Sequence, residues 1–360
     1  MDESLRPGPL PSRRFLLRAA AAAAALPLGF GASSGRAWGP GPAAPFDPGP
    51  LCRPAAAEEP AGALKPIKLA WNATAICTAA APLAKERGIF ARHGLDVDFV
   101  NFGGSTEALL EAIATGKADA GIGMALRWLK PLEQGFDVKI TAGLHGGCLR
   151  LLGSKAAGIT EIAALRGKTI AISDQASPAK NFFGLMLAEA GIDPENGVEW
   201  RQYPADLLNL AVEKGEAQAL ADSDPRTWIW LKDPRFAEVA TNLTGAYADR
   251  TCCVVAVRGS LIRNDRAAAS SLTRAVLEAG HRVHADPEDA ARIFAGYGGK
   301  GSVEDLAAML RSQHHDDRPV GADLKQQLVL YGEELKRVNV LKRTTDTAKF
   351  AERVYADVLS

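Results

Sequence analysis

The chain has 360 residues, and its 42 lysines and arginines balance 42 aspartates and glutamates, so the formal net charge is zero. That balance argues against nucleic acid as the main partner, because domains that hold it carry clustered basic surface. A hydrophobic share of 47 % is ordinary for a soluble globular chain, and the length allows a large core or two domains.

The first element is an export signal. Ser12-Arg13-Arg14-Phe15-Leu16-Leu17-Arg18 opens onto an alanine-rich apolar stretch that ends near Phe30. A twin-arginine basic region before a short apolar segment is the pattern of a twin-arginine signal peptide, expected over residues 1–37 with cleavage near Gly35-Arg36-Ala37. The apolar stretch is too short and alanine-rich for a comfortable membrane span. This route carries folded chains, so a tightly held component can be loaded before export. Residues 38–65 are rich in Pro, Gly and Ala and read as a flexible linker.

Compact structure is expected from Ile67. Ile67–Trp71 reads as a strand, Thr78–Glu86 as a helix, and Leu95–Val100 as a strand with alternating faces. Gly103-Gly104 punctuates the chain, and Ser105 or Thr106 can cap a helix running from Glu107 to Thr115. Ala118–Gly123 and Val138–Leu144 are further strands, with a helix or turn from Met124 to Leu132 between them. The alternation describes an α/β unit with a largely parallel sheet. A second unit is expected from about Ile162. It has strands at Thr169–Ser173, Val198–Tyr203 and Ala217–Ala221, and helices at Pro178–Ala190 and Ala205–Lys214. Pro178 suits the first turn of its helix. After a strong strand at Cys252–Val257 the pattern is mostly helical from Asn264 to the end, with helices expected at Ala267–Ala285, Pro287–Gly296, Val303–Arg311, Ala322–Val338 and Asp346–Leu359 that pack back on the first unit.

Five cysteines, Cys52, Cys77, Cys148, Cys252 and Cys253, make no disulfide framework and no CxxC pair. The adjacent Cys252 and Cys253 are expected to point to opposite faces of their strand. No HExxH, phosphate-binding loop or CxxCH appears, and the glycine-rich Gly296–Ser302 reads as a turn between helices. No cofactor is called for.

Several segments in order resemble a known group. Ala84-Lys85-Glu86-Arg87-Gly88-Ile89-Phe90 followed by Gly94-Leu95-Asp96-Val97 is one. Gly103-Gly104-Ser105 with Leu109–Ile113, Gly116–Gly121, and Leu165-Arg166-Gly167-Lys168-Thr169-Ile170-Ala171 are the others. Together they are similar to the periplasmic substrate-binding proteins of the nitrate, sulfonate and taurine ABC importers, a group that includes bicarbonate and pyrimidine-precursor binders. The resemblance covers about Ile67 to Leu359. It implies a class II periplasmic binding protein fold: two α/β lobes around a ligand cleft, joined by two crossovers. Lobe 1 would comprise residues 66–148 and 252–360, and lobe 2 residues 149–251. The implied function is capture of a small polar organic molecule or anion, sulfonate-like or related, by lobe closure. The implied partners are an ABC permease and its ATPase in the inner membrane, with the twin-arginine machinery for export and a monomer in the periplasm. A periplasmic ligand sensor, or an enzyme on the pyrimidine-precursor synthase scaffold, are the alternatives.

Ligands of open α/β sheets sit beyond the carboxyl ends of the strands. That rule selects Trp71 and Asn72, Gly104 and Ser105, Met124 and Ala125, Gln175, Ala176 and Ser177, and Asp222 and Asp224. Trp71 either lines a pocket or packs in the core. Ser105 and Ser177 either cap helices or offer an anion a helix start. Asp222 and Asp224 would disfavour a bare oxyanion, or else serve a turn before Pro225. His145 is a further ligand-binding candidate. His145 and Cys148, with Cys252-Cys253 in the other crossover and Met124, are outside candidates for a soft zinc or copper site, the plainer reading being small residues packed at a hinge. Arg150 could contact an anion, and His314 could overhang the cleft.

Overall fold

The computed structural model describes residues 62–314 and 319–360. The twin-arginine segment, nearly all of the linker, and His315 to Arg318 lie outside the described residues.

The chain begins with β1 (Lys65–Trp71), α1 (Ala80–Glu86), α2 (Ile89–Arg92), β2 (Leu95–Asn101), α3 (Thr106–Ala114), β3 (Ala120–Met124), α4 (Ala125–Glu133) and β4 (Val138–Gly146). It crosses to β5 (Leu149–Ser154), β6 (Thr169–Ile172), α5 (Pro178–Glu189), β7 (Glu199–Gln202), α6 (Leu208–Glu213), β8 (Ala219–Ser223), α7 (Arg226–Leu231) and β9 (Phe236–Thr241). It returns as β10 (Thr251–Arg258), α8 (Gly259–Asn264), α9 (Arg266–Ala285), α10 (Pro287–Gly296), α11 (Val303–Ser312), α12 (Gly321–Arg337) and α13 (Thr347–Val354).

Two five-stranded sheets result, in the orders β2-β1-β3-β10-β4 and β7-β6-β8-β5-β9. In the first, β1 is parallel to β2 and β3, and β10 runs antiparallel to β3 and β4. In the second, β6 is parallel to β7 and β8, and β5 runs antiparallel to β8 and β9. Each sheet therefore takes its fourth strand from a segment that has just arrived from the other sheet.

Local chemistry explains most of these elements. On β2, Leu95 and Val97 are buried while Asp96 and Asp98 face water, the alternation of a half-buried strand. The strands β3 and β10 are small or β-branched and almost wholly buried, as central strands are. The helices α3 and α5 start where Ser105 and Ser177 accept the N–H groups of Ala108 and Lys180.

Several elements escape the sequence pattern. The strand β5, ahead of Ile162, shows no signal because it is a short, continuously buried run without alternation. The antiparallel β9 alternates only in part. The helices α7 and α8 have six residues each, too few for a helical period to show.

The carboxyl-terminal helices mostly pack on the first sheet: α9 lies against β2, β4 and β10, and α13 against β4. The helix α12 departs from that expectation, since it also touches α5 of the second unit. It braces the second crossover as well. Glu334 pairs with Arg250 at 2.6 Å, Tyr331 Oη donates to Thr251 O, and Thr251 N donates to Gln327 Oε1.

The two crossovers, residues 147–148 and 242–250, run side by side. Asn242 Oδ1 accepts the N–H groups of both Cys148 and Leu149 at 2.8 and 2.7 Å. At Gly146 a Cβ would collide with the carbonyl oxygen of Ala248, so only glycine lets these backbones meet. His314 adds a two-way backbone bridge to Gly146, which places it beside the hinge.

Candidate functional site

A cavity of about 820 Å³ opens between the carboxyl ends of the two sheets. From the first sheet, Asn72, Gly104, Ser105, Met124 and Arg127 reach its wall. From the second, Asp174, Gln175, Ala176, Ser177, Asp222 and Arg226 do. Of the residues expected there, Asn72, Gly104, Ser105, Met124, Gln175, Ala176, Ser177 and Asp222 are on the wall.

Four are not. Trp71 is 3 % exposed and packs against Phe99 and Tyr297, with ring centroids 5.0 and 5.7 Å away. Its position on β1 turns the ring to the core. Ala125 follows Met124 into α4 and is buried in the core. Asp224 is 0 % exposed and points away from the cavity. Its carboxylate accepts from Arg150 Nε, Thr227 Oγ1 and Trp228 N, so it anchors the start of α7. His145 lies at the hinge, where its Nε2–H donates to Cys77 O at 3.0 Å.

The acidic pair also needs a correction. Asp222 and Asp224 are not bare carboxylates facing a ligand. Asp222 pairs with Arg226 at 2.8 Å and Asp224 with Arg150 at 3.0 Å. Arg150 also pairs with Glu238 and lies over Trp228. It is part of the framework and is no anion contact.

Arg127 is the residue the sequence reading passed over, although it stood in a loop singled out. It is 4 % exposed, and its Nη1 donates to Gly104 O at 2.6 Å and Thr106 Oγ1 at 2.7 Å. Its guanidinium lies over Phe102. Its buried Nε finds no hydrogen-bond partner among the described residues. Burial pulls its pKa down and Asp174 opposes that, yet a guanidinium keeps its charge at any physiological pH. Arg226 went unseen altogether. The only signal for it was an arginine four residues after Asp222, the spacing of one helical turn.

Asn72 shapes the first wall. Its Oδ1 accepts from Thr74 N and Thr74 Oγ1, closing a small turn after β1. Gly104 approaches it with φ +87°, a left-handed conformation, and a Cβ there would crowd Asn72 Nδ2.

The helices α3 and α5 aim their amino-terminal ends at the cavity from opposite walls. Hydrogen bonds already join those walls. Thr106 N donates to Asp174 Oδ2 at 3.0 Å, Thr106 Oγ1 to Ala176 O, Asn181 Nδ2 to Leu126 O, and Arg226 Nη1 to Thr74 Oγ1. Burial works to raise the pKa of Asp174, but the N–H groups of Thr106 and Ala176, with Arg127, outweigh it and hold the carboxyl below its ordinary value. No histidine or cysteine lines the cavity among the described residues. The wall is built to hold polar groups, and it assembles no nucleophile with a histidine base.

The sequence profile of the NMT1/THI5-like family matches residues 78–290, more than half of the chain. No curated protein matches the chain in sequence. Several solved structures share its fold. The alkanesulfonate-binding protein SsuA from Xanthomonas axonopodis pv. citri, bound to MOPS, superposes with a TM-score of 0.68 at 16 % identity, covering 81 % of this chain and 99 % of that one. The periplasmic nitrate-binding protein NrtA from Synechocystis PCC 6803 gives 0.69 at 15 %, covering 82 % and 87 %. The ligand-binding component of an ABC-type import system from Staphylococcus aureus, with zinc bound, gives 0.67 at 14 %, covering 82 % and 97 %. With its two mixed sheets and paired crossovers, the chain has the bilobed class II periplasmic-binding-protein architecture, and it belongs to the NMT1/THI5-like family.

Proposed function

We propose that the chain is the extracytoplasmic solute-binding component of an ABC importer and that it captures a small polar organic anion, sulfonate-like or related. It binds and does not catalyse. The observation that carries the ligand charge is Arg127: a buried guanidinium on the cavity wall, its Nε without a hydrogen-bond partner among the described residues, beside the amino-terminal ends of α3 and α5. A negative group there would gain a charge-assisted hydrogen bond and two favourable helix ends. The cavity is large for a bare inorganic anion, and the apolar walls of Leu110, Phe136 and Leu149 suit a carbon skeleton. Closure would follow from contacts made to both walls at once. Delivery would be to a membrane permease and its ATPase, after export by the twin-arginine route.

The test is native mass spectrometry of the protein purified from the periplasm of its own host, followed by denaturation and identification of what is released. One organic anion per chain is expected. A released cation, or a species chemically converted while bound, would overturn the reading.

A further inference from the structure

Four cysteines far apart in sequence meet at the hinge. Cys77 follows β1 in the first unit, Cys148 lies in the first crossover, and Cys252 and Cys253 open β10 after the second. All are free thiols and all are buried, at 3, 0, 5 and 0 % exposure. Strand pairing brings in His145, since Cys253 lies opposite it in the β10–β4 ladder. That ladder is irregular on both sides of Cys253. Cys252 contacts the thiol of Cys148, and Cys253 comes close to Cys77 and His145.

The distances are those of a ligand set. One donor atom each from Cys77, His145 and Cys253 lie within 4.8 Å of one another. Two sulfurs bound to one tetrahedral zinc at the usual bond length stand about 3.8 Å apart. Side-chain rotation alone spans the difference. With Nε2–H donating to Cys77 O, as in the outer hydrogen bond of a metal-bound imidazole, Nδ1 is the nitrogen left to ligate, and it lies 3.4 Å from Gly146 O. Cys148 stands 3.3 Å from Cys252, sulfur to sulfur, and is outside this trio.

The geometry points to a buried site for one thiophilic d10 cation, with Cys77, His145 and Cys253 as ligands. It is separate from the cleft, whose wall contains none of these residues. Charge selects zinc within that class. Two thiolates and a neutral imidazole around a divalent ion are neutral overall, which keeps the cost of full burial low. Copper(I) would satisfy the same soft donors. Each thiol that ligates gives up its proton to solvent on binding. A bound ion would tie the end of β4 to β10 and to the segment after β1.

Metal analysis of the full chain, made without a polyhistidine tag, tests this. One equivalent of zinc per chain is expected, or of copper if the softer ion wins. Cys253→Ser and His145→Gln should each lose it, while Cys52→Ser should retain it. Where a variant fails to fold, the wild-type protein stripped of metal and titrated with cobalt(II) gives an independent readout. Tetrahedral d–d absorption with thiolate-to-cobalt charge transfer supports the site. A folded, metal-free chain whose cobalt(II) spectrum stays flat overturns it. So does an intact mass lighter by two hydrogens, with Cys148 joined to Cys252 and no metal taken up.

Discussion

The two walls of the cleft each present an arginine to the cavity, and they differ in how that charge is answered. On the second wall, Arg226 is matched by Asp222, and behind it Arg150 by Asp224 and Glu238. On the first wall, Arg127 makes no ion pair among the described residues: Gly104 O and Thr106 Oγ1 accept from it, Phe102 lies beneath it, and Asp174 acts on it from across the cleft without a hydrogen bond. A count of charges around the cavity gives no clue to what it binds. The charge without a hydrogen-bonded counter-ion does, because a buried cation is costly until something pairs with it directly. The second wall then reads as framework and the first as the recognising surface.

The contrast is broken most directly at Asp224. Replacing it with alanine strands Arg150 in the interior with half of its counter-charge, and loss of one partner from a buried pair costs about 3–5 kcal/mol. Urea denaturation should show that loss with an unchanged slope. A loss below 1 kcal/mol would mean that the second wall is not a fixed frame. Arg127→Met comes next. Affinity for the organic anion should fall on the order of 100-fold, the scale of truncating a buried charged contact, with little change in melting temperature. Calorimetric titration reads both walls if the same anion is tested against Ser177→Ala. That variant should lose about 1 kcal/mol of stability with its helix cap and much less affinity.

The smallest effect concerns Asp174, the carboxylate that reaches from the second wall to α3. Its pKa is depressed in the closed form, so its contribution is complete above the ordinary value of about 4 and drains away as the pH falls through the lower closed-form value. Small-angle scattering of the ligand-free protein should report a constant shape from pH 7 to about 4 and an opening below that. Asp174→Asn should flatten the profile. An opening centred near pH 6 would point to another group.

Much of this architecture was legible in the residues. The alternation of β2, the serine caps of α3 and α5 and the proline at the start of α5 are local signals, and they act locally. What stayed hidden depends on contacts between distant segments. The strand β5 is buried on both faces and has no pattern to show. Whether Trp71 faces core or cleft depends on which neighbours β1 acquires, namely Phe99 and Tyr297. Asp222 and Asp224 looked available to a ligand because their arginines approach only once β5 and α7 are in place. The gathering of Cys77, Cys148, Cys252 and Cys253 is the extreme case, since they come from segments far apart in sequence.

The close passage of the two crossovers at Gly146 and Ala248 reaches further than the hinge itself. Backbones in such contact cannot slide past each other, so the two halves are left with little beyond a swing about a single axis. Such a protein has its affinity set in two places. One is the wall that touches the solute, and the other is the resting angle of the swing. If the competent angle is occupied a tenth of the time, apparent binding weakens roughly tenfold with every ligand contact intact. Substitutions around Gly146 can therefore retune capture from a distance, while the recognising surface stays as it is.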